Sequence, residues 1–313
     1  MNNKTAYITH HACFEHNMGE GHPESPERLY AIKQALIENN IFQDLVEITA
    51  READDEDILR AHSHAYLDYL KQSSPSVGTF RLDTDTAMNS GTIKSIRYAA
   101  GAVMCAVDTV MNGVAQNAFC AIRPPGHHAT IDQAMGFCFI NNISIGAKYA
   151  LEKYNLDRIL VVDFDIHHGN GTEMILKDNP HILFLSSFQN HSFPYCGDLD
   201  PNNTNIIRTP LPESTGSIEF REAILELWLP EIQAFKPQLV MISAGFDAHI
   251  LDDMGGFNLK ETDFAWITRQ IKQQAMQHCD GKIVSVLEGG YHIKSLAISV
   301  LEHIKALQED IVI

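Results

Sequence analysis

The sequence predicts an α/β domain with a central, mainly parallel β-sheet and helices on both faces. Short apolar segments alternate with stretches of helical periodicity along the whole chain, and this order is typical of parallel sheets. Several of the apolar segments lack polar alternation, as do strands that are buried on both faces. No long linker, repeat or charge block divides the 313 residues. We therefore assign residues 1–313 to one domain.

The individual elements follow in chain order from the same patterns. The six predicted strands are short and mostly apolar: Thr5–Thr9, Ala118–Ile122, Arg158–Val162, Ile182–Leu185, Gln238–Ile242 and Lys282–Leu287. The six long helices repeat apolar residues at helical spacing: Glu27–Glu38, Thr92–Met111, Asn142–Lys153, Ser217–Ala234, Glu261–His278 and Ile293–Leu307. Two shorter helices are predicted at Asp54–Arg60 and His64–Gln72.

Composition excludes several classes of protein. Hydrophobic residues make up 45% of the chain and charged residues 20%, as in ordinary globular domains. The net charge of −17 would repel phosphate backbones, so no nucleic-acid partner is expected. No apolar run is long enough to cross a membrane, and the N-terminus lacks the apolar core of a secretory signal. The six cysteines are scattered without a Cys-x-x-Cys pair, which indicates free thiols and a cytoplasmic location; no pattern fixes an oligomeric state.

Chemically active side chains follow four of the predicted strands. These segments are rich in His, Asp, Tyr and Gly: Arg123–His128, Asp163–Thr172, Ser243–His249 and Glu288–Tyr291. Ligands of open parallel sheets bind beyond the carboxyl ends of the strands. The sequence therefore predicts an active site at this edge of the sheet.

The segment after the third predicted strand suggests a metal site. Asp165 and His167 are two positions apart, so both side chains can point to one side of an extended chain. Asp247 follows another strand and is the best third ligand. Three protein ligands with one open position are what catalytic zinc requires, so we expect one zinc ion per chain. An isolated Asp-x-His is often a surface turn, but the His and Tyr residues at matching strand ends favour the metal site.

Two adjacent histidines are candidates for proton transfer. His127 and His128 follow a Pro-Pro-Gly turn, and we expect a general base and a cation-stabilising neighbour at these positions. A histidine that acts this way needs its second nitrogen anchored, for which Asp163 and Asn170 are available. The alternative is a pair of imidazoles that face solvent.

A tyrosine after two glycines is a candidate carbonyl-polarising donor. The phenol of Tyr291 could hold an oxyanion, and Gly289 and Gly290 would permit its close approach to the metal. The alternative is a core tyrosine that packs against the next helix.

Together these segments resemble the zinc-dependent histone deacetylase family, which has an arginase-like α/β fold. The resemblance extends over nearly the whole chain and rests on six motifs: His22–Arg28, Arg123–Ala129, Gly136–Asn142, Asp163–Thr172, Gly245–His249 and Glu288–Tyr291. Asn170 stands where class I members carry Asp, so the chain looks similar to class II members and to the bacterial amidohydrolase-like branch.

The resemblance implies a role for each catalytic residue. The implied zinc ligands are Asp165, His167 and Asp247. His128 is then the general base that later protonates the amine, and His127 is its electrostatic partner, held by Asp163. Tyr291 polarises the substrate carbonyl.

The resemblance also implies substrate and potassium sites. Phe137 and Phe193 would form the walls of an acyl-lysine tunnel, and the Gly136 carbonyl would accept the substrate amide N–H. Arg28 would line an internal acetate cavity, and Asp85 (or Asp83) would hold the substrate backbone at the rim. A structural potassium ion is implied near Asp163, Asp165, His167 and Ser186.

The expected function is removal of acetyl or other short acyl groups from lysine in peptides or proteins. The main alternative is acetylpolyamine hydrolysis, but Met254 stands where acetylpolyamine-selective members carry a glutamate, seven residues after Asp247. An arginase-type site with two manganese ions would need more carboxylates than the loop after His168 provides. A non-catalytic acyl-lysine binding module would be expected to lack at least one of the catalytic residues.

Overall fold

Eight parallel strands form the central sheet of the computed structural model, which describes residues 4–197 and 204–311. Within these residues the strands are β1 (Thr5–Thr9), β2 (Val46–Thr49), β3 (Phe80–Arg81), β4 (Ala87–Met88), β5 (Asn117–Cys120), β6 (Ile159–Asp163), β7 (Ile182–Gln189), β8 (Ile206–Leu211), β9 (Leu239–Ala244) and β10 (Ile283–Leu287). The central sheet has the order β2-β1-β5-β10-β9-β6-β7-β8. The short strands β3 and β4 pair with each other in antiparallel orientation. The predicted α/β class and parallel sheet are confirmed.

Helices connect most of the strands. They are α1 (Glu27–Glu38), α2 (Asp55–Leu59), α3 (His64–Ser73), α4 (Thr92–Met111), α5 (Asn142–Tyr154), α6 (Asn170–Leu176), α7 (Ser217–Ala223), α8 (Leu229–Phe235), α9 (Glu261–Cys279) and α10 (Ile293–Gln308). A π-helical segment, Ile224–Trp228, joins α7 to α8, so the helix predicted over Ser217–Ala234 is present with an altered middle. No helix in the described part of the chain combines the length and apolarity needed to cross a membrane.

The helices cover both faces of the sheet because successive side chains of a strand point to opposite sides. On β5, Cys120 Sγ lies 3.6 Å from the carbonyl oxygen of Ala102 in α4. The preceding residue, Phe119, packs against His303 of α10 with ring centroids 5.7 Å apart. Both strand residues are fully buried. The sheet therefore lies between two layers of helices, and residues near its strands can reach solvent only at the strand ends.

The two outer strands of the sheet were missed by the sequence prediction. β2 alternates half-buried and exposed residues, and β8 includes Arg208 and Pro210, so neither has the continuous apolar run of a central strand. Proline is tolerated at such an edge because no ladder bond is lost on the open side. The prediction also ended β6 and β9 too early, since buried polar residues such as Asp163 and Ser243 remain in the ladder. All six cysteines are free thiols, as predicted, while the cytoplasmic location stays a prediction.

Candidate active site

The four predicted polar segments meet because their strands are neighbours. β5, β10, β9 and β6 are consecutive in the sheet, so the loops after them end at the same edge. A cavity of about 310 Å³ opens there. It is lined by Asp85, His128, Gly136, Phe137, His167, Ser192, Phe193, Tyr195, Met254 and Tyr291.

Three candidate metal ligands converge beside this cavity. The donor atoms of Asp165, His167 and Asp247 all lie within 4.8 Å of one another. His167 Nδ1 is 3.1 Å from Asp165 Oδ1 and 3.1 Å from Asp247 Oδ2. Burial and then the adjacent Asp165 carboxylate raise the pKa of Asp247 to about 7. Two buried carboxylates and one imidazole need a cation to offset the desolvated charge, and this donor set suits zinc.

The neighbouring backbone fixes these ligands. The Nε2 atom of His167 lies 3.2 Å from the carbonyl oxygen of Met254. Because a carbonyl can only accept, Nε2 carries a proton, and Nδ1 is the ring nitrogen that faces the two carboxylates. The N–H of Gly289 donates to Asp165 Oδ2 at 2.9 Å, and the N–H of Ile166 donates to Asp247 Oδ1 at 3.1 Å. The ligand set is therefore held in place by its surroundings.

Three glycines lie around the ligands, and each is favoured by its surroundings or its backbone conformation. A Cβ atom on Gly289 would overlap Asp247 Oδ2 and would lie 2.6 Å from Asp165 Oδ2. A Cβ atom on Gly245 would also overlap Asp165 Oδ2. Gly290 has φ +114°, a conformation that favours glycine. A side chain at position 289 would therefore collide with the ligands, and one at position 290 would strain the backbone.

The two adjacent histidines have different partners. His127 Nδ1 lies 3.0 Å from Asp163 Oδ2, and His128 Nδ1 lies 2.8 Å from Asn170 Oδ1. Burial disfavours the His127 cation, but the charges of Asp165 and Asp163 outweigh burial and raise its pKa to about 10. Burial, and then the charge of His127, hold the pKa of His128 well below its ordinary value. His127 is therefore suited to remain a cation, and His128 to be a neutral base.

Two aromatic rings form walls of the cavity. Phe137 meets the Tyr291 ring edge-on with centroids 5.5 Å apart, and Phe193 meets the His128 ring edge-on at 5.0 Å. Gly136 has φ +55°, and a Cβ atom there would lie 2.5 Å from His128 Cδ2 and 2.9 Å from Phe193 Cε1. A side chain at position 136 would therefore collide with His128 and Phe193, two residues that line the cavity.

Further residues of the cavity mouth were not predicted. Thr86 accepts the N–H of Phe137 through Oγ1 at 3.0 Å and donates to Asp85 Oδ1 at 2.8 Å. The rim candidate Asp85 is therefore linked to the cavity wall, and the other rim candidate, Asp83, is not among the lining residues. Ser192 and Tyr195 were also missed, since they lie in a loop without periodicity.

A buried carboxylate that the sequence analysis missed holds the loop of the tyrosine. Asp252 Oδ2 accepts the N–H of Tyr291 at 2.6 Å and that of His292 at 2.9 Å. Its Oδ1 accepts the N–H of Met254 at 3.2 Å. The only sequence signal for this role is an acidic residue shortly after Asp247. Asp252 thus joins the loops that carry Met254 and Tyr291.

Arg28 lies behind the tyrosine and is not among the residues that line the described cavity. Its Nε atom donates to the carbonyl oxygen of Gly290 at 2.7 Å, and its guanidinium carbon is 5.0 Å from the centre of the Tyr291 ring. Burial raises the pKa of Tyr291 well above its ordinary value. The phenol therefore stays protonated and can donate a hydrogen bond.

Some residues of the implied potassium site are neighbours in the structure. Asp163 and Ser186 are paired neighbours in β6 and β7. Asp163 Oδ1 accepts the N–H of Asp165 at 3.1 Å, and His167 belongs to the zinc-type donor set described above. Ser186 Oγ lies 2.9 Å from His168 Nδ1.

Comparison with known proteins identifies the family. Residues 22–307 match the family model of the histone deacetylase domain. The solved structure of an HDA15 HD domain superimposes with a TM-score of 0.90 and 30% identity, covering 97% of this chain and 88% of that one. This chain belongs to the histone deacetylase family, whose members are hydrolases, and the resemblance and fold inferred from its motifs are confirmed.

Three curated relatives illustrate the range of the family. A probable deacetylase of Archaeoglobus fulgidus is 35% identical over 93% of this chain and 82% of its own length. Type-2 histone deacetylase 2 of Dictyostelium discoideum is 36% identical over 98% of this chain, but the match spans only 21% of that protein. The human polyamine deacetylase HDAC10 is 34% identical over 92% of this chain and 45% of its own length.

Proposed function

We propose that this protein is a zinc-dependent amidohydrolase that removes acetyl or other short acyl groups from the ε-amine of lysine in peptides or proteins. One observation carries the proposal: the donor set of Asp165, His167 and Asp247 lies beside a cavity that His128 and Tyr291 also line. A candidate metal site, a candidate base and a hydroxyl that can donate to a substrate carbonyl thus face the same cavity.

The metal would be held by Asp165, His167 and Asp247. Zinc at such a site supplies a Lewis acid and lowers the pKa of a water molecule toward neutrality. A structural potassium ion near Asp163, Asp165, His167 and Ser186 is part of the proposal, supported by the pairing of Asp163 with Ser186 on the adjacent strands β6 and β7.

The protein's own residues would move the protons. The Nδ1–H of His128 is held by Asn170, which leaves the Nε2 lone pair to take a proton from the attacking water. The same nitrogen later gives that proton to the leaving amine. His127, paired with Asp163, stabilises the negative charge that develops nearby. The Tyr291 hydroxyl donates to the carbonyl oxygen as it becomes an oxyanion.

The shape of the cavity suits an acylated lysine. Phe137 and Phe193 can enclose the aliphatic stem of the side chain, and the Gly136 carbonyl can accept its amide N–H. Asp85 at the mouth can accept an N–H from the substrate backbone. These contacts would orient the amide toward the base before reaction.

Acetylpolyamines are the second candidate substrates, because the human polyamine deacetylase HDAC10 is a relative. The Met254 side chain at the cavity offers no charge to a distant ammonium. We expect Met254→Glu to shift the ratio of specificity constants toward N8-acetylspermidine, relative to an acetyl-lysine peptide, by up to about fivefold, the upper range for an exposed ion pair. Met254→Gln controls for size, and an unchanged ratio in both variants would show that Met254 does not select substrates.

Replacing Tyr291 by phenylalanine should impair chemistry more than binding. Loss of one oxyanion donor typically lowers turnover by about 10²–10³-fold, whereas the ring contact with Phe137 is retained. We expect zinc content and peptide affinity close to wild type. A variant with a lower melting temperature but full turnover would instead identify Tyr291 as a structural core residue.

Steady-state kinetics on a panel of substrates tests the proposed function. The panel contains acetyl- and longer acyl-lysine peptides and acetylated polyamines, with zinc content measured on the same preparation. We expect the highest kcat/KM on an acyl-lysine peptide. Binding of acyl-lysine without turnover of any panel member would instead support a non-catalytic binding module.

A further inference from the structure

We propose that Glu288 is a positioning residue for the loop Arg123–His128, called the histidine loop below. Its side chain links the backbone of this loop to the strand that leads to Tyr291. The kinetic consequence rests on the proposed function, whereas the restraint on the backbone does not. Glu288 directly follows β10 and is fully buried. It is neither one of the proposed metal ligands nor a residue that lines the cavity.

The Glu288 carboxylate accepts three hydrogen bonds. Its Oε2 atom accepts the N–H of Gly126 at 2.7 Å and the N–H of His127 at 3.2 Å. Its Oε1 atom accepts the hydroxyl of Ser243 at 3.0 Å. Gly126 follows β5, and Ser243 lies on β9. One side chain therefore connects the ends of three adjacent strands.

The backbone of the same residue is fixed from the other side. The N–H of Glu288 donates to the carbonyl oxygen of Ala244 at 3.0 Å, and its carbonyl accepts the Arg28 guanidinium. The following N–H, that of Gly289, donates to the ligand Asp165. Tyr291 lies only three residues beyond Glu288. The Glu288 carboxylate thus extends from a backbone segment that is held by hydrogen bonds and that also carries Tyr291 and contacts the proposed metal ligand Asp165.

The histidine loop depends on Glu288 along one side. The carbonyl oxygen of His127 is held separately, by the N–H of Thr172 at 3.0 Å. A Cβ atom on Gly126 would lie 2.6 Å from the backbone nitrogen of Asn142, so the loop has little room on that side. Without an acceptor from Glu288, two buried N–H groups would lose their partner, and the loop would shift to find another. A displacement of about 1 Å in a catalytic group can cost about 10²-fold in rate.

Two substitutions separate position from charge. Glu288→Gln keeps one oxygen for both N–H groups, and its amide can donate to Ser243, so it should retain most activity, within about fivefold of wild type, if the hydrogen bonds are what matter. Glu288→Asp keeps the charge but is one methylene shorter, so it should lower kcat by about 10–100-fold with little change in KM. A large loss in Glu288→Gln together with retained activity in Glu288→Asp would show that the charge matters rather than the position, and the positioning role would be wrong.

Hydrogen exchange tests the restraint without any turnover. The amides of Gly126 and His127 should be strongly protected in the wild type and in Glu288→Gln, and should exchange faster in Glu288→Asp by at least about tenfold. Asp263→Asn is the matched control, since Asp263 is a buried carboxylate that binds Ser217 and Arg221 away from the site. It should leave both the kinetics and this protection unchanged. Unchanged protection in Glu288→Asp would overturn the proposal, whereas a wild type inactive on the whole substrate panel would contradict only the proposed function.

Discussion

Alanine at Asp165 or Asp247 is expected to abolish bound zinc and to reduce turnover to background. Three protein ligands are the minimum for a catalytic zinc site, and the donor atoms of these residues lie within 4.8 Å of each other and of His167. Removal of either carboxylate leaves only two ligands. It also removes part of the negative charge that favours a divalent cation at this buried position.

Elemental analysis and turnover on the same preparations measure both effects. Asp157→Ala is a suitable control, because its carboxylate is 68% exposed and remote from the cavity lining; it should retain full zinc and activity. Full zinc occupancy in Asp165→Ala or Asp247→Ala would show that the metal lies elsewhere.

His128→Ala is expected to lower kcat by about 10²–10⁴-fold while zinc remains bound, the usual cost of a lost general base. The reason is geometric: Asn170 holds Nδ1 at 2.8 Å, and Nε2 is left to accept a proton from water. His128 is not one of the three ligands, so its loss should not release the metal.

The matched control is His181→Ala, whose ring is 52% exposed and should be replaceable without effect on kcat. Turnover of His128→Ala close to wild type, with zinc retained, would transfer the role of base to His127 or another group. A loss of zinc in His128→Ala would show that the histidine contributes to the metal site itself.

The sequence predicted the edge of the sheet at which the chemistry lies. Asp165, Asp247 and Tyr291 could be placed there because each follows an apolar run that is recognisable as a buried strand. Parallel strands bring their carboxyl ends to one edge whatever their order. The order of β5, β10, β9 and β6 was not needed for that inference.

Contacts between distant segments could not be predicted in the same way. Glu288 binds the N–H of Gly126, 162 positions earlier, and Asp252 binds the N–H of Tyr291, 39 positions later. Nothing in the local pattern around either carboxylate indicates which N–H groups it binds, because those contacts depend on the packing of strands rather than on spacing. The edge strand β2 was missed for a related reason: its half-exposed alternation gives a weak signal.

Metal-dependent turnover of an acetyl-lysine peptide tests the central claim most directly. The purified protein is stripped of metal with a chelator, and kcat/KM is measured before and after one equivalent of zinc is restored. We predict that the stripped protein is inactive and that one zinc ion per chain restores release of acetate and free lysine. Undiminished turnover by fully stripped protein, or no turnover after stoichiometric zinc is bound, would contradict the assignment.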